Sequence, residues 1–283
     1  MQADISQIII SSPIKRLILW LSKRNIAKLE KKEDIEGLAE ILCGISGELR
    51  LDAALALGRV GGKSAMAMDR LIYALRDNER DVRRCAAIAL GVAGDIRAIP
   101  PLIEGLGDDS DDVRMEAVKA LAKIGAPAVD QLVARLIGPC DRRMEERLVE
   151  ALSKIGEPAI GPLIGLLDNP GPAIREKAAR ALGEAGCHKA VTPLIMRLKD
   201  DDDGVRKAAI VSLGKLSDHE AVESLISCLN DPDPSIRGKA AWALGKIGDL
   251  RAIDPLILGL NDKDPNVAYE ANRALYCLGW NRL

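Results

Sequence analysis

One leucine column organises the chain. Leu38, Leu71, Leu102, Leu132, Leu163, Leu194, Leu225 and Leu256 follow one another at spacings of 33, 31, 30, 31, 31, 31 and 31 residues. Four residues after each stands another leucine, from Leu42 and Leu75 to Leu229 and Leu260. Three residues before each stands an aliphatic side chain or methionine, among them Ile35, Met68, Val129 and Ile253. The position after each is Ala39, Ile72, Ile103, Val133, Ile164, Ile195, Ile226 or Ile257. Apolar residues at −3, 0, +1 and +4 share one helical stripe, so each unit opens with an amphipathic helix.

A polar, turn-forming stretch follows, as in Asp231-Pro232-Asp233-Pro234 and Asp262-Lys263-Asp264-Pro265. Aspartate is a good helix N-cap and proline is tolerated in a first helical turn. A second helix then carries an apolar column of Val82, Val113, Ile174, Val205, Ile236 and Val267, with alanines and leucines on the same stripe. Glycines such as Gly94, Gly125, Gly186 and Gly248 end it, as expected where the chain turns left-handed. Each unit is thus two antiparallel helices in about 31 residues. One pair cannot bury its stripe alone, whereas a stack can. The pattern predicts an all-α fold: a right-handed α-solenoid of about eight two-helix repeats, with the alanine-rich second helices on the concave side.

The unit resembles the short HEAT repeat of the phycobilin-lyase type, seen in Ala221-Val-Glu-Ser-Leu-Ile-Ser-Cys-Leu-Asn-Asp-Pro-Asp-Pro-Ser-Ile-Arg-Gly-Lys-Ala-Ala-Trp-Ala-Leu-Gly-Lys-Ile-Gly-Asp249. The resemblance spans roughly residues 34–283, read as a single repeat domain behind an N-terminal amphipathic segment, 1–33. It implies an interaction scaffold, and it specifies the fold far more than the role.

Three places depart from the pattern. In the fourth unit, Ile137-Gly138-Pro139-Cys140-Asp141-Arg142-Arg143 replaces the acidic turn, and the recurrent arginine of the second helix falls on Glu145. This is either a local change of curvature or a binding loop. Near the start, Ile14, Leu17, Ile18 and Leu21 form a helical stripe after Pro13. A helical cap over the first repeat is the expectation, because open stacks need their ends covered. The alternative for residues 14–24 is a membrane-surface or docking helix with Trp20 at the interface. In the last unit Tyr276, Cys277 and Trp280, with Ala268 in place of the arginine, read as a C-terminal cap.

Composition narrows the function. Lys+Arg number 40 and Asp+Glu 42, a formal net charge of −2, which lacks the basic field of a nucleic-acid binder. Aromatic residues are 2% with no phenylalanine, so alanine, leucine and isoleucine must fill the repeat interfaces. The six cysteines, Cys43, Cys85, Cys140, Cys187, Cys228 and Cys277, show no CxxC spacing and fall at unrelated positions of the repeat. Free thiols in a reducing, cytoplasmic setting are the expectation. The apolar runs near the start are too short for an export signal or a membrane span.

Several columns are candidate sites. Arg50, Arg83, Arg114, Arg175, Arg206 and Arg237 follow the acidic turns, with Asp77, Asp108, Asp200, Asp231 and Asp262 six residues after the leucine origin. These predict a structural ladder of forked arginine–carboxylate bonds, which HEAT repeats are similar in using. A line of phosphate hooks is the competing reading. A second basic column, Arg59, Lys123, Lys154, Lys215 and Lys246, lies near the ends of the second helices, where cations also suit the helix dipole. The preferred partner site is Trp242 with Tyr269 and Arg273, flanked by Lys215 and Lys246, because tryptophan, tyrosine and arginine anchor interfaces. The competing reading is a C-terminal packing cluster with Tyr276 and Trp280. His188 and His219 occupy equivalent loops, and only His219-Glu220 forms a His-Glu pair. Deoxyhypusine hydroxylase, a HEAT-repeat enzyme of similar architecture, uses repeated His-Glu pairs for iron, so that activity is not expected here. No catalytic motif, metal set or cofactor loop is readable.

The function expected is a non-enzymatic scaffold that binds another protein, acidic in character, on the concave face. The alternatives are a subunit resembling the phycobilin lyases, which attach or detach a tetrapyrrole, and a nucleic-acid-binding HEAT-like protein.

Overall fold

A computed structural model describes residues 25–43, 47–61 and 64–280. The expected N-terminal helix over residues 14–24 lies outside them. Among the described residues there is no strand. The leucine columns become first helices: α1 (Ile35–Leu42), α3 (Ala65–Ala74), α5 (Ile99–Gly105), α7 (Val129–Ile137), α9 (Glu157–Leu166), α11 (Val191–Arg197), α13 (Val222–Cys228) and α15 (Ile253–Gly259). The second helices are α2 (Gly47–Gly61), α4 (Arg80–Ala93), α6 (Asp111–Ile124), α8 (Arg142–Ile155), α10 (Pro172–Ala185), α12 (Asp203–Leu216), α14 (Pro234–Ile247) and α16 (Pro265–Cys277). The described residues form an α-solenoid of eight such pairs.

All eight origin leucines, Leu38 to Leu256, have 0% exposure. Burying such a side chain contributes about 1.5–3 kcal/mol. The polar turns act as caps: Asp202 accepts from the Val205 N–H, Asp233 from Ser235 and Asp264 from Asn266. Gly94, Gly186 and Gly248 take the left-handed conformation after their helices.

Two compact units form, Met1–Gln131 and Leu132–Leu283, with the boundary inside α7. In the first, α2, α4 and α6 pack side by side, and each first helix packs on its own partner. In the second unit α8, α10, α12, α14 and α16 pack side by side, and α9, α11, α13 and α15 pack on α10, α12, α14 and α16. The second helices approach closely because they carry glycine at the crossing. A Cβ on Gly91 would lie 2.8 Å from Ala120 Cα, and one on Gly245 would lie 2.7 Å from Ala274 Cα. Backbones this near leave no room for rings, which accounts for the aromatic poverty of the chain.

In the irregular fourth pair, Asp141 caps α8 by accepting from the Met144 N–H. Glu145, at the arginine position, is buried and takes a hydrogen bond from Arg180 Nη1 at 2.6 Å. Lys177 Nζ stands 3.7 Å from its second oxygen and donates to the Leu136 carbonyl. The fourth turn therefore carries a charge inversion that the next second helix answers with two cations.

Candidate functional site

The arginine column is occupied by the protein itself. Arg83 Nε and Nη2 meet the two oxygens of Asp108 at 2.7 and 3.0 Å, while Nη1 donates to the carbonyls of Asp77 and Asn78. Arg175 repeats this on Asp200 at 2.8 and 2.6 Å, and Arg237 on Asp262 at 2.7 and 2.8 Å. Arg206 holds the Asp200 carbonyl and sits 3.5 Å from Asp231. Arg114 turns back to the Asp108 carbonyl and the Asp111 carboxylate, since the residue twenty-five positions on is Pro139 rather than aspartate. Arg50, in α2, is half-buried. The Arg237 guanidinium holds the Asp262 carboxyl below the usual carboxylate range, with burial opposing. Forked donors engaged on carboxylates and carbonyls at once are not available as phosphate hooks.

The open chemistry lies in the second unit, where α12, α14 and α16 run side by side. A groove with a volume of about 560 Å³ opens between them. Val211 of α12 and Trp242 of α14 form its apolar wall, and Gly238 lies between Ser235 and Lys239 along α14. Asn266, Glu270 and Arg273 of α16 form the far wall. The Trp242 indole is half-buried, and its Cζ3 would stand 2.7 Å from a Cβ on Gly214. Its seat thus depends on that glycine. Glu270 Oε1 lies 3.6 Å from Arg273 Nη1, and its Oε2 is buried without a hydrogen bond. Asp264, at the groove's end, is committed to the Asn266 N–H. Lys239 is half-buried, and among the described residues no ion pair holds it.

Of the residues singled out in the sequence, Trp242 and Arg273 line this groove together. Tyr269 is 64% exposed, one position before Glu270, and does not line it. Lys215 is bonded to Glu184, which stands in the same column one repeat earlier. Lys246 is exposed on the last turn of α14, outside the lining. Neither Tyr276 nor Trp280 contributes to the wall. Gly238, Lys239 and Glu270 are the residues that column reading passed over. Their signal was available in the comparison of equivalent positions, Lys207, Gly238 and Tyr269, where a mid-helix glycine interrupts two bulky side chains.

His188 Nδ1 lies 2.8 Å from Asp218 Oδ2, and His219 Nδ1 lies 2.8 Å from Asp249 Oδ2. Each histidine thereby ties one loop to the capping aspartate of the next. Among the described residues no cluster of three or more His, Cys, Asp or Glu side chains is arranged to hold a metal ion. No described helix is long and apolar enough to cross a membrane.

The model of the HEAT repeats matches four overlapping windows, 35–122, 68–153, 129–214 and 193–276. The chain belongs to the HEAT-repeat family. Among solved HEAT and armadillo structures, it is similar to a Kap95p complex with RanGDP, at 17% identity and a TM-score of 0.52, over 93% of this chain and 42% of that one. It is also similar to human deoxyhypusine hydroxylase in complex with glycerol, at 24% identity and a TM-score of 0.39, over 91% and 100% of the two chains. The complex of CpcE and CpcF of phycocyanin lyase from Nostoc sp. PCC7120 aligns at 26% identity and a TM-score of 0.36, over 87% and 93%. No curated protein matches the chain.

Proposed function

We propose that this HEAT-repeat protein is a non-enzymatic scaffold that binds a protein partner in the groove of α12, α14 and α16. The observation that carries the reading is that a half-exposed tryptophan, a lysine held by no ion pair and an exposed arginine open into one cavity of about 560 Å³. The grooves that open between α4 and α6 are lined mainly by charged side chains and carry no aromatic residue. Tryptophan and arginine are the residues most enriched at interface anchors. Kap95p, which is similar in fold, binds RanGDP, and that suits the same use of a helical stack. The six free cysteines suit a reducing, cytoplasmic setting, and burial pushes the Cys228 thiol up to about 11, leaving it inert.

The partner is acidic in this reading. Of the carboxylates at the groove, Asp264 accepts from the Asn266 N–H, neighbouring Asp233 is held by Lys207 at 2.5 Å, and Glu270 turns one oxygen toward Arg273 at 3.6 Å and buries the other. Lys239 remains to be satisfied by a partner. The test is affinity capture from the native cell lysate, with and without nuclease, comparing wild type, Trp242→Ala and the outer-face variant Met196→Ala. A nuclease-resistant partner that is lost with Trp242→Ala and kept with Met196→Ala supports the reading. Capture that needs nucleic acid, or ignores Trp242, contradicts it.

A further inference from the structure

Two glycines in adjacent second helices differ in what surrounds them. A Cβ on Gly214 would collide with Trp242 at 2.7 Å and with Ala243 at 3.0 Å, so packing demands that glycine. A Cβ on Gly238 would meet nothing nearer than Val267 Cγ2 at 3.9 Å, an ordinary contact. No positive φ requires glycine there either. A glycine in a helix interior weakens the helix relative to alanine. At Gly238 neither packing nor backbone geometry repays that cost. What the missing side chain does is open space: Gly238 lines the groove, whereas the equivalent positions one repeat back and one repeat on carry the bulky Lys207 and Tyr269. Trp242 lies one turn on from Gly238 and so shares its helix face. The resulting recess has an aromatic and aliphatic wall in Trp242 and Val211, with Lys239 and Arg273 at its edges.

Resting on the scaffold reading, we infer that Gly238 opens a recess for one bulky apolar side chain of an acidic peptide segment, with the flanking carboxylates meeting Lys239 and Arg273. Shape selects the central residue, because the recess floor is bare backbone. Charge selects the flanks, because among the described residues no ion pair holds Lys239, and Arg273 stays exposed beside Glu270. A basic segment would bring its cations against Lys239 and Arg273.

The test uses fluorescein-labelled synthetic peptides in one frame, a central residue flanked by glutamates, read by anisotropy on the full chain. Centres of phenylalanine, leucine and alanine are compared, together with a lysine-flanked frame and a short single-stranded oligonucleotide. The phenylalanine and leucine peptides are expected to bind at least tenfold more tightly than the alanine peptide. The lysine frame and the oligonucleotide are expected not to bind. Gly238→Leu fills the recess and brings the phenylalanine peptide down to the affinity of the alanine peptide, leaving the latter unchanged. Gly238→Ala, the smaller change, gives a partial loss in the same direction. Lys239→Gln weakens every acidic peptide alike and flattens the salt dependence. Unchanged discrimination in a folded Gly238→Leu or Gly238→Ala overturns the inference. So does preference for the lysine frame or the oligonucleotide, or absence of binding by all the acidic peptides. If lysate capture still depends on Trp242 in any of these cases, the scaffold reading stands and only the recess fails.

Discussion

The Trp242 indole of α14 rests over Gly214 of α12, where any side chain would press on the ring at 2.7 Å. The two residues come from neighbouring repeats, so the groove wall is a product of stacking and not of one helix. Gly214→Ala is expected to destabilise by about 1–3 kcal/mol through overpacking. Gly238→Ala, in the next second helix, is expected to stabilise by about 0.5–1 kcal/mol. Urea melts of the two variants check the pair, and shifts of the same sign contradict the assignment.

Origin leucines carry the stack. Leu163→Ala is expected to cost about 2–5 kcal/mol, as for other buried large-to-small changes. Leu258→Ala removes a side chain that is 75% exposed on the outer face and is expected to stay within about 0.5 kcal/mol of wild type. Equal losses in chemical denaturation contradict the register.

The columns were readable because a stack of identical interfaces repeats its demands at a fixed interval. The leucines and the arginine–aspartate partners therefore announce themselves by spacing alone. Trp242 and Arg273 were readable for the same reason, standing in one column a single repeat apart. The rest was hidden by physics that spacing does not encode. Lys215 looked free, yet its partner Glu184 stands in its own column. Gly214 shares a column with Gly58, Gly91, Gly183 and Gly245, whereas Gly238 has no glycine in its column, and it is the distance to the neighbouring helix that shows the first packing and the second opening space. Tyr269 is one residue from Glu270, but helical rotation puts it outside the groove.

We propose that the forked ladder is structural. Arg83→Ala is expected to lower stability by about 1–3 kcal/mol, because it leaves Asp108 and two carbonyls without their charged donor. Partner affinity per folded molecule should not change, since the groove lies on α12, α14 and α16. Loss of binding at full stability would return the arginines to a ligand role.

Acid should loosen the ladder. The Asp262 carboxyl is held below its usual range by Arg237, so its contribution is complete above the unfolded value near pH 4 and is lost as pH falls through the lower folded value. Thermal melts of wild type are expected to drop as pH is lowered through and below about 4. Asp262→Asn should start lower at neutral pH and fall less steeply in acid. Parallel pH profiles contradict the assignment.

The most direct measurement is the affinity of the captured partner for Trp242→Ala against wild type, by calorimetry at matched folded fraction. The account predicts a loss of about 2 kcal/mol or more, roughly thirtyfold, with a cooperative melt retained. Normal affinity per folded molecule, accompanied by a large fall in melting temperature, would show that Trp242 only packs the repeat and that the partner sits elsewhere.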